Sequence, residues 1–500
     1  MEAINNAPVT GETLEEAITH DYTTEVVPLT KRRPTWHLQA LMMTFWAGFS
    51  YVFMGFSLNE AGFTLGKTVF IILLGTAVYW AYGMCAAYLG SRTGQTHSLL
   101  TRSVFGVSGS IIVSAIIVLT QIGWAGFQGN LTVQILSGMY GWGHVLLIGV
   151  ILTVLMITNN FLGFTGITNF ARYVVTPIMT LWLCFLVIKA FSTEGSAVLA
   201  AHPKAVVPMG FFPAMTLVIG FVMWGEEPDF FRFARPRFWT AGAIYAFSLI
   251  FGFVLSGVGG WVMGQIAGTA DFGPAVRTIT SYSLFGALWL AVIVLVLGQV
   301  SVNDGNYYVV TNAMQNLLGG FSRWKRQYTC LIAAALGGLS AWIVPYVITS
   351  GFERVAGFTA IGVPTATIIM AIDHFVVPRL YRISRPLDAV PEWHETGNAN
   401  WPAIIALLVA VGLGAWASGL LPGGAPQANL GLVPPEAWAL GGIGYLALVG
   451  VARALRGRDL QSLLGFSKPA RQAAGRYAPG AVVDVATVSG SQSEGVVTVS

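Results

Sequence analysis

The 500-residue chain is 55% hydrophobic and only 10% charged, with a formal net charge of +4. Soluble domains carry about 25% charged residues, so this balance excludes a water-soluble fold. The small positive excess has to be explained by where the cations lie rather than by their number.

In chain order, residues 1–34 form a polar, acidic tail (Glu2, Glu12, Glu15, Glu16, Asp21) that is no signal peptide and is expected to be loosely ordered, as is the end beyond residue 456. Between them, apolar runs near the 18 to 20 residues needed to cross about 30 Å of hydrocarbon recur about twelve times. The predicted spans are Leu38–Ser57, Thr68–Leu89, Ile111–Met139, Val145–Leu162, Val174–Phe191, Phe211–Phe231, Ala241–Ile266, Leu284–Leu318, Thr329–Thr349, Phe358–Val377, Ala403–Leu421 and Trp438–Ala454. The fold class is therefore an all-α polytopic membrane protein. The charged stretch 378–402 separates a ten-span unit (35–377) from a two-span appendage (403–456), and 457–500 is a tail expected to be disordered. With the amino terminus inside, 21 of the 26 Lys and Arg fall on one side, leaving Lys67, Lys189, Lys204, Arg277 and Arg354 on the other. This is the positive-inside signature of a protein with both termini cytoplasmic, and it accounts for the net charge without a nucleic-acid partner.

Four spans carry polar residues that a lipid-facing helix would not. The first contains Trp46-Ala47-Gly48-Phe49-Ser50-Tyr51 and the sixth Gly220-Phe221-Val222-Met223-Trp224-Gly225-Glu226-Glu227-Pro228-Asp229. These positions correspond if ten spans form two halves of five, and Gly- or Pro-interrupted segments at corresponding positions point to a transporter site. For Gly48 alone close packing is the simpler reading; Pro228 beside three carboxylates favours a break. The third span places Gln121, Trp124 and Gln128 at i, i+3 and i+7, an aromatic plate between two amides on one helical face. That face suits either a flat hydrogen-bonding ligand or interhelical amide contacts. The eighth span runs Gly298-Gln299-Val300-Ser301-Val302-Asn303-Asp304-Gly305-Asn306. Its hard oxygen ligands suit Na⁺ or a proton rather than a soft metal. Glu226 is a candidate for proton coupling, as is Asp304, while Glu227 and Asp229 read as structural groups near the inner face, solvated or paired with Arg232 or Arg235. His37, His97, His144 and His202 fall near predicted span ends, where interfacial placement is expected. No His pair has zinc-enzyme spacing, and Cys85, Cys184 and Cys330 form no CxxC.

At these residues the chain resembles the nucleobase:cation symporter-1 family, and most closely its bacterial cytosine permease branch. The resemblance rests on Gly90-Ser91-Arg92-Thr93-Gly94 with Arg102-Ser103-Val104-Phe105-Gly106, on Thr120-Gln121-Ile122-Gly123-Trp124, on Pro228-Asp229-Phe230-Phe231-Arg232-Phe233 and on Ser301-Val302-Asn303-Asp304, in order and spacing. It implies a leucine-transporter-like 5+5 inverted repeat with broken helices 1 and 6, plus two carboxy-terminal helices, working by alternating access. By similarity Trp124 would stack on a base, Gln121 and Asn303, with Asp304 beside them, would read its polar edge, and Phe221, or Trp224, would close the other face. The cation would lie on carbonyls of Gly48, Tyr51 and Gly298 and the Ser301 hydroxyl. Val302 stands where sodium-coupled members have a second hydroxyl, which leaves Na⁺ and H⁺ both open.

The reading is a cofactor-free symporter in the cell inner (plasma) membrane, functional as a monomer, that imports cytosine or a related base with Na⁺ or H⁺. Hydantoin, allantoin or another N-heterocycle is the alternative substrate. An intramembrane enzyme would need a nucleophile with its base or a metal cluster, and a channel would need repeated rings of charge or carbonyls; the sequence offers neither.

Overall fold

The computed structural model describes residues 21–222, 225–282, 288–318, 325–347, 351–381, 399–425 and 431–456. Among them the chain is helical, with a single isolated bridge pair between Arg33 and Ala234. The first membrane helix comes in two pieces, α1a (Gln39–Trp46) and α1b (Phe49–Glu60), bent by 49°. There follow α2 (Leu65–Thr93), α3 (His97–Tyr140) and α4 (Val145–Leu155). The fifth, α5, runs through Gly163–Phe170, a π turn at Ala171–Val175 and Thr176–Glu194. The sixth is again two pieces, α6a (Phe211–Val222) and α6b (Glu227–Phe231), and α7 spans Phe238–Ala267. Beyond a short helix at Phe272–Tyr282 come α8 (Leu288–Leu317), α9 (Arg326–Val347), α10 (Gly351–Phe375), α11 (Trp401–Ala417) and α12 (Val433–Arg456). The helical elements thus follow the order of the twelve predicted spans.

Length and apolarity alone single out six helical stretches that can cross a membrane, with the bent pair of α1 as a seventh. One of the six, Val145–Thr193, is 49 residues long, about 74 Å at 1.5 Å per residue, enough for two crossings. Three of the others fall short for local reasons. The sixth is broken, α8 carries the polar run, and α11 has only 17 residues.

Local chemistry sets several boundaries. The Thr64 hydroxyl accepts from Lys67 N–H at the start of α2, Thr96 does the same for Leu99 N–H at the start of α3, and Gly94 and Gly141 end these helices in the left-handed region. Because Thr96 caps it, α3 begins at His97 rather than Ile111, and its non-helical residue is Gly106 (φ 73°, ψ 179°). His97 is consequently buried and not interfacial. The predicted fourth span ends early, at Leu155, because Asn159 and Asn160 turn toward α8.

Helix α3 is the axis of the bundle and packs along α8, α9 and α10, while α10, α11 and α12 form a group on one side. The two-span appendage is pinned to α3 as well: Asn400 N–H donates to Phe105 O at 3.0 Å and its side-chain amide to Val104 O at 2.6 Å. Helices α1b and α7 meet through glycine. A Cβ on Gly55 would lie 1.8 Å from Gly257 O, so Gly55→Ala is expected to separate the two helices, read as reduced monodisperse protein in detergent.

The tail is not loose throughout. Asp21, Tyr22, Val27 and Arg32 are buried. The segment is tied to α2 by Val27 N–H to Gly94 O and by the Arg32 guanidinium on Val27 O and Ser91 O. Burial pulls that guanidinium down to about 10, still charged at neutral pH. The rest of the tail, residues 1–20, the stretch 382–398 within the predicted linker and the end beyond 456 lie outside the described residues.

Candidate substrate and ion site

Helix α3 presents Gln121, Trp124 and Gln128 toward the two interruptions, and each amide holds one of them. At the α1 break, Gly48 has an extended conformation (φ −74°, ψ 159°), which frees the Phe49 N–H from an intrahelical bond. That N–H donates to Gln299 Oε1 at 3.0 Å, Gln299 Nε2 donates to Gln128 Oε1 at 2.8 Å, and Gln128 Nε2 donates to Ser50 Oγ at 3.2 Å. A relay of two amides thus joins α1, α3 and α8 where helix geometry lapses. At the α6 break, Gly225 sits at φ +92°, a conformation that favours glycine. Its carbonyl accepts from the Thr367 hydroxyl at 3.1 Å, and the neighbouring Glu226 Oε1 accepts from Gln121 Nε2 at 2.7 Å.

Between the two amides lies an aromatic wall. The Trp124 ring is 5.9 Å from that of Phe221 at 68°, Phe221 is 6.3 Å from Tyr51, and Phe127 edges onto Trp124 at 5.7 Å. The Trp124 indole N–H donates to the Thr359 hydroxyl at 2.8 Å, which fixes the ring plane from α10. Of the two aromatics expected on the sixth span, Phe221 is thereby beside Trp124; Trp224 lies outside the described residues.

The eighth helix divides its polar residues. Asn303 Nδ2 donates to Ala125 O at 3.2 Å and to Met156 Sδ at 3.1 Å, while its carbonyl accepts from Asn306, so its amide joins α3 to α8 one residue from Trp124. Asp304 faces the other way. Its carboxylate accepts from Asn159 Nδ2 at 2.9 Å and lies 3.4 Å from Asn160 Nδ2, in the turn between α4 and α5. The structure brings Gln121, Trp124, Phe221 and Glu226 together, with Asn303 one turn along, and leaves Asp304 on a separate seam.

Of the expected cation ligands, Gly48 and Tyr51 belong to the α1 break and Gly298 and Ser301 to the facing helix. The Gly48 carbonyl accepts from Tyr51 N–H at 3.0 Å, and Gly298 packs on Met179. Val302 puts a methyl 2.5 Å from where a Cβ of Gly48 would be, so α8 meets the break through a hydrocarbon at that point.

Glu227 and Asp229, expected to be solvated or paired near the inner face, are buried rather than solvated, and the tie of Asp229 to Arg232 runs through its backbone, whose carbonyl accepts from Arg232 Nε at 3.0 Å. Glu226, Glu227 and Asp229 are all buried. Glu227 accepts from Tyr79 OH, and Asp229 accepts from Asn312 Nδ2 at 2.7 Å and His97 N–H at 3.2 Å. Arg232 also reaches Asp21: its guanidinium donates to the Asp21 and Tyr22 carbonyls and to Tyr308 OH, and lies 3.6 Å from the Asp21 carboxylate. Arg326 approaches the same carboxylate at 3.7 Å. Nothing in the acidic tail distinguishes Asp21 from its neighbours, so this partner was invisible before folding.

A family model described as "Permease for cytosine/purines, uracil, thiamine, allantoin" matches residues 28–441. The chain belongs to this family. Among curated relatives, cytosine permeases of Escherichia coli strain K12 and Escherichia coli O157:H7 are each 25% identical over 398 residues, covering 75% of this chain and 86% of theirs. Among solved structures, the nucleobase-cation-symport-1 family transporter Mhp1, closed with bromovinylhydantoin bound, superposes with a TM-score of 0.68 at 16% identity, over 88% of this chain and 98% of that one. A Na⁺-coupled sialic acid symporter in an outward-open state gives 0.57 at 12% identity, over 91% and 96%. The fold is thus that of the leucine-transporter class of multi-pass transporters, and the interrupted α1 and α6 open its two five-helix halves.

Proposed function

We propose that this family member imports a nucleobase-like heterocycle, cytosine or a related pyrimidine or purine, by cation symport with alternating access. It would act as a monomer in the cell inner membrane with both termini cytoplasmic. The observation that carries the reading is the Trp124–Phe221 wall placed between two helix breaks, with the Gln121–Glu226 pair at its edge. An aromatic face takes a flat ring, and interrupted helices supply the polar groups that let one be held at mid-membrane. One cation moving inward down about 100 mV supplies about 2.3 kcal/mol, enough for about fifty-fold accumulation.

Uptake of radiolabelled cytosine into proteoliposomes, with sodium and pH gradients imposed separately, tests this reading. Accumulation under at least one gradient is expected. If no heterocycle from a panel of pyrimidines, purines, hydantoins and allantoin is concentrated under either, the reading is wrong. The ion follows from Val302. A methyl at the break offers no ligand oxygen, so sodium dependence is expected to be weak, and Val302→Thr is expected to raise sodium stimulation about fivefold by restoring a hard donor. Unchanged stimulation would place the coupling ion elsewhere.

A further inference from the structure

We propose that the chain entering α1 and the π turn of α5 together bind the phosphate of an anionic phospholipid headgroup. No group at the two helix breaks takes part.

Two segments distant in sequence bring cations to one place at the ends of apolar spans. Arg33 and His37 come just before α1a, and Arg172 stands in the π turn of α5, just before the predicted fifth span. The Arg33 guanidinium donates to the Thr165 hydroxyl at 3.1 Å and lies over the Phe164 ring at 5.7 Å. Thr165, the exposed Asn169 and Arg172 are spaced i, i+4 and i+7 along α5, so Arg33 lies on the face that carries Arg172. His37 faces both guanidiniums: partial burial, then Arg172, then Arg33 push its imidazole below the ordinary value. At neutral pH it is therefore an uncharged N–H donor beside two fixed positive charges. Among the described residues Arg172 has no carboxylate partner, and the Asp21 carboxylate is committed to Arg232 and Arg326. Gathered like charges repel unless an anion joins them.

The aromatic side chains beside these cations fix where that anion comes from. Trp36 and Tyr173 are both exposed; the Trp36 ring lies 4.0 Å from that of His37, and Arg172 lies over the Tyr173 ring at 5.3 Å. Exposed Trp and Tyr at span ends occupy the headgroup layer of a bilayer, and basic pockets between helices at that depth bind anionic headgroups. A soluble anion gains nothing from such a rim, whereas a lipid keeps its acyl chains along the apolar faces below. A zwitterionic headgroup also has a phosphate, but its ammonium meets the same two guanidiniums. An anionic headgroup avoids that repulsion and ties the start of α1 to the irregular turn of α5.

Purified full-length protein in neutral detergent, titrated with phosphatidylglycerol or phosphatidylcholine and read by native mass spectrometry, tests this. The first phosphatidylglycerol is expected to bind about tenfold more tightly than the first phosphatidylcholine. One cation near an anionic headgroup contributes about 1 kcal/mol, so Arg172→Gln is expected to weaken that binding about fivefold, and Arg172→Glu to abolish the preference. The comparison is Arg453, an exposed arginine over the Tyr381 ring at 5.0 Å near the end of α12. Arg453→Gln is expected to change the affinity by no more than about twofold, since an isolated surface charge contributes little. Equal binding of the two lipids by the wild-type protein overturns the proposal whether or not any variant folds. So does an Arg453→Gln effect as large as that of Arg172→Gln, which would reveal a diffuse positive face. Displacement of the lipid by an equal concentration of inorganic phosphate would reveal a plain anion site and overturn it as well.

Discussion

Asp21→Ala is expected to lower the thermal unfolding midpoint in detergent substantially, the largest stability effect of any single substitution in the inner layer. The Asp21 carboxylate lies 3.6 Å from Arg232 and 3.7 Å from Arg326, with all three side chains buried, and it accepts the Phe164 N–H at 3.1 Å at the start of α5. Removing one member of a buried charge cluster leaves the others uncompensated, which costs about 3–5 kcal/mol. Asp21 and Tyr22 also sit at φ 48° and 50°, in the left-handed region that disfavours side chains. The Arg232 guanidinium holds both their carbonyls there. Loss of the carboxylate therefore removes an anchor that joins α5, α6b and α9 through a segment outside every span. Thermal unfolding followed by size-exclusion chromatography checks this, and a midpoint within about a degree of wild type would show that the cluster contributes nothing net.

Trp124→Ala is expected to weaken heterocycle binding by about fivefold to about a hundredfold, the range equivalent to the loss of 1–3 kcal/mol of stacking, while the yield of monodisperse protein is retained. Trp124→Phe keeps a ring but loses the indole bond to Thr359, and is expected to fall between the two. Binding measured on purified protein separates the outcomes. If affinity is unchanged in Trp124→Ala, the ring is a packing residue that joins α3 to α6a through Phe221 and to α10 through Thr359.

The interrupted helices were legible because backbone chemistry leaves marks in sequence. Gly225 takes a left-handed conformation that other residues resist, Pro228 cannot continue a helix from upstream, and Gly48 leaves room for the Val302 methyl. Gln121, Trp124 and Gln128 were legible as one face because the 3.6-residue repeat fixes their direction whatever the partner. The partners themselves were not. Asp304 follows Asn303 by one residue, about 100° around the helix, and so turns to Asn159 and Asn160 instead of the aromatic wall. Glu227 and Asp229 looked like surface carboxylates because arginines follow in the chain, yet Tyr79, Asn312 and His97 reach them from α2, α8 and α3.

By itself the sequence determined a membrane-embedded helical bundle of about twelve spans, its breaks and the residues that line one face of α3. Apolar length, glycine and proline act locally, and local causes can be read along a single chain. Only the tertiary structure decided that Gln121 holds Glu226, that Gln128 and Gln299 bridge the first break, and that Asp21 joins two arginines from distant helices. Each of these is a pairing of buried polar groups far apart in the chain. A buried polar atom must find some partner, but composition does not say which, because many amides, hydroxyls and carboxylates could serve; the crossing of the helices makes the choice.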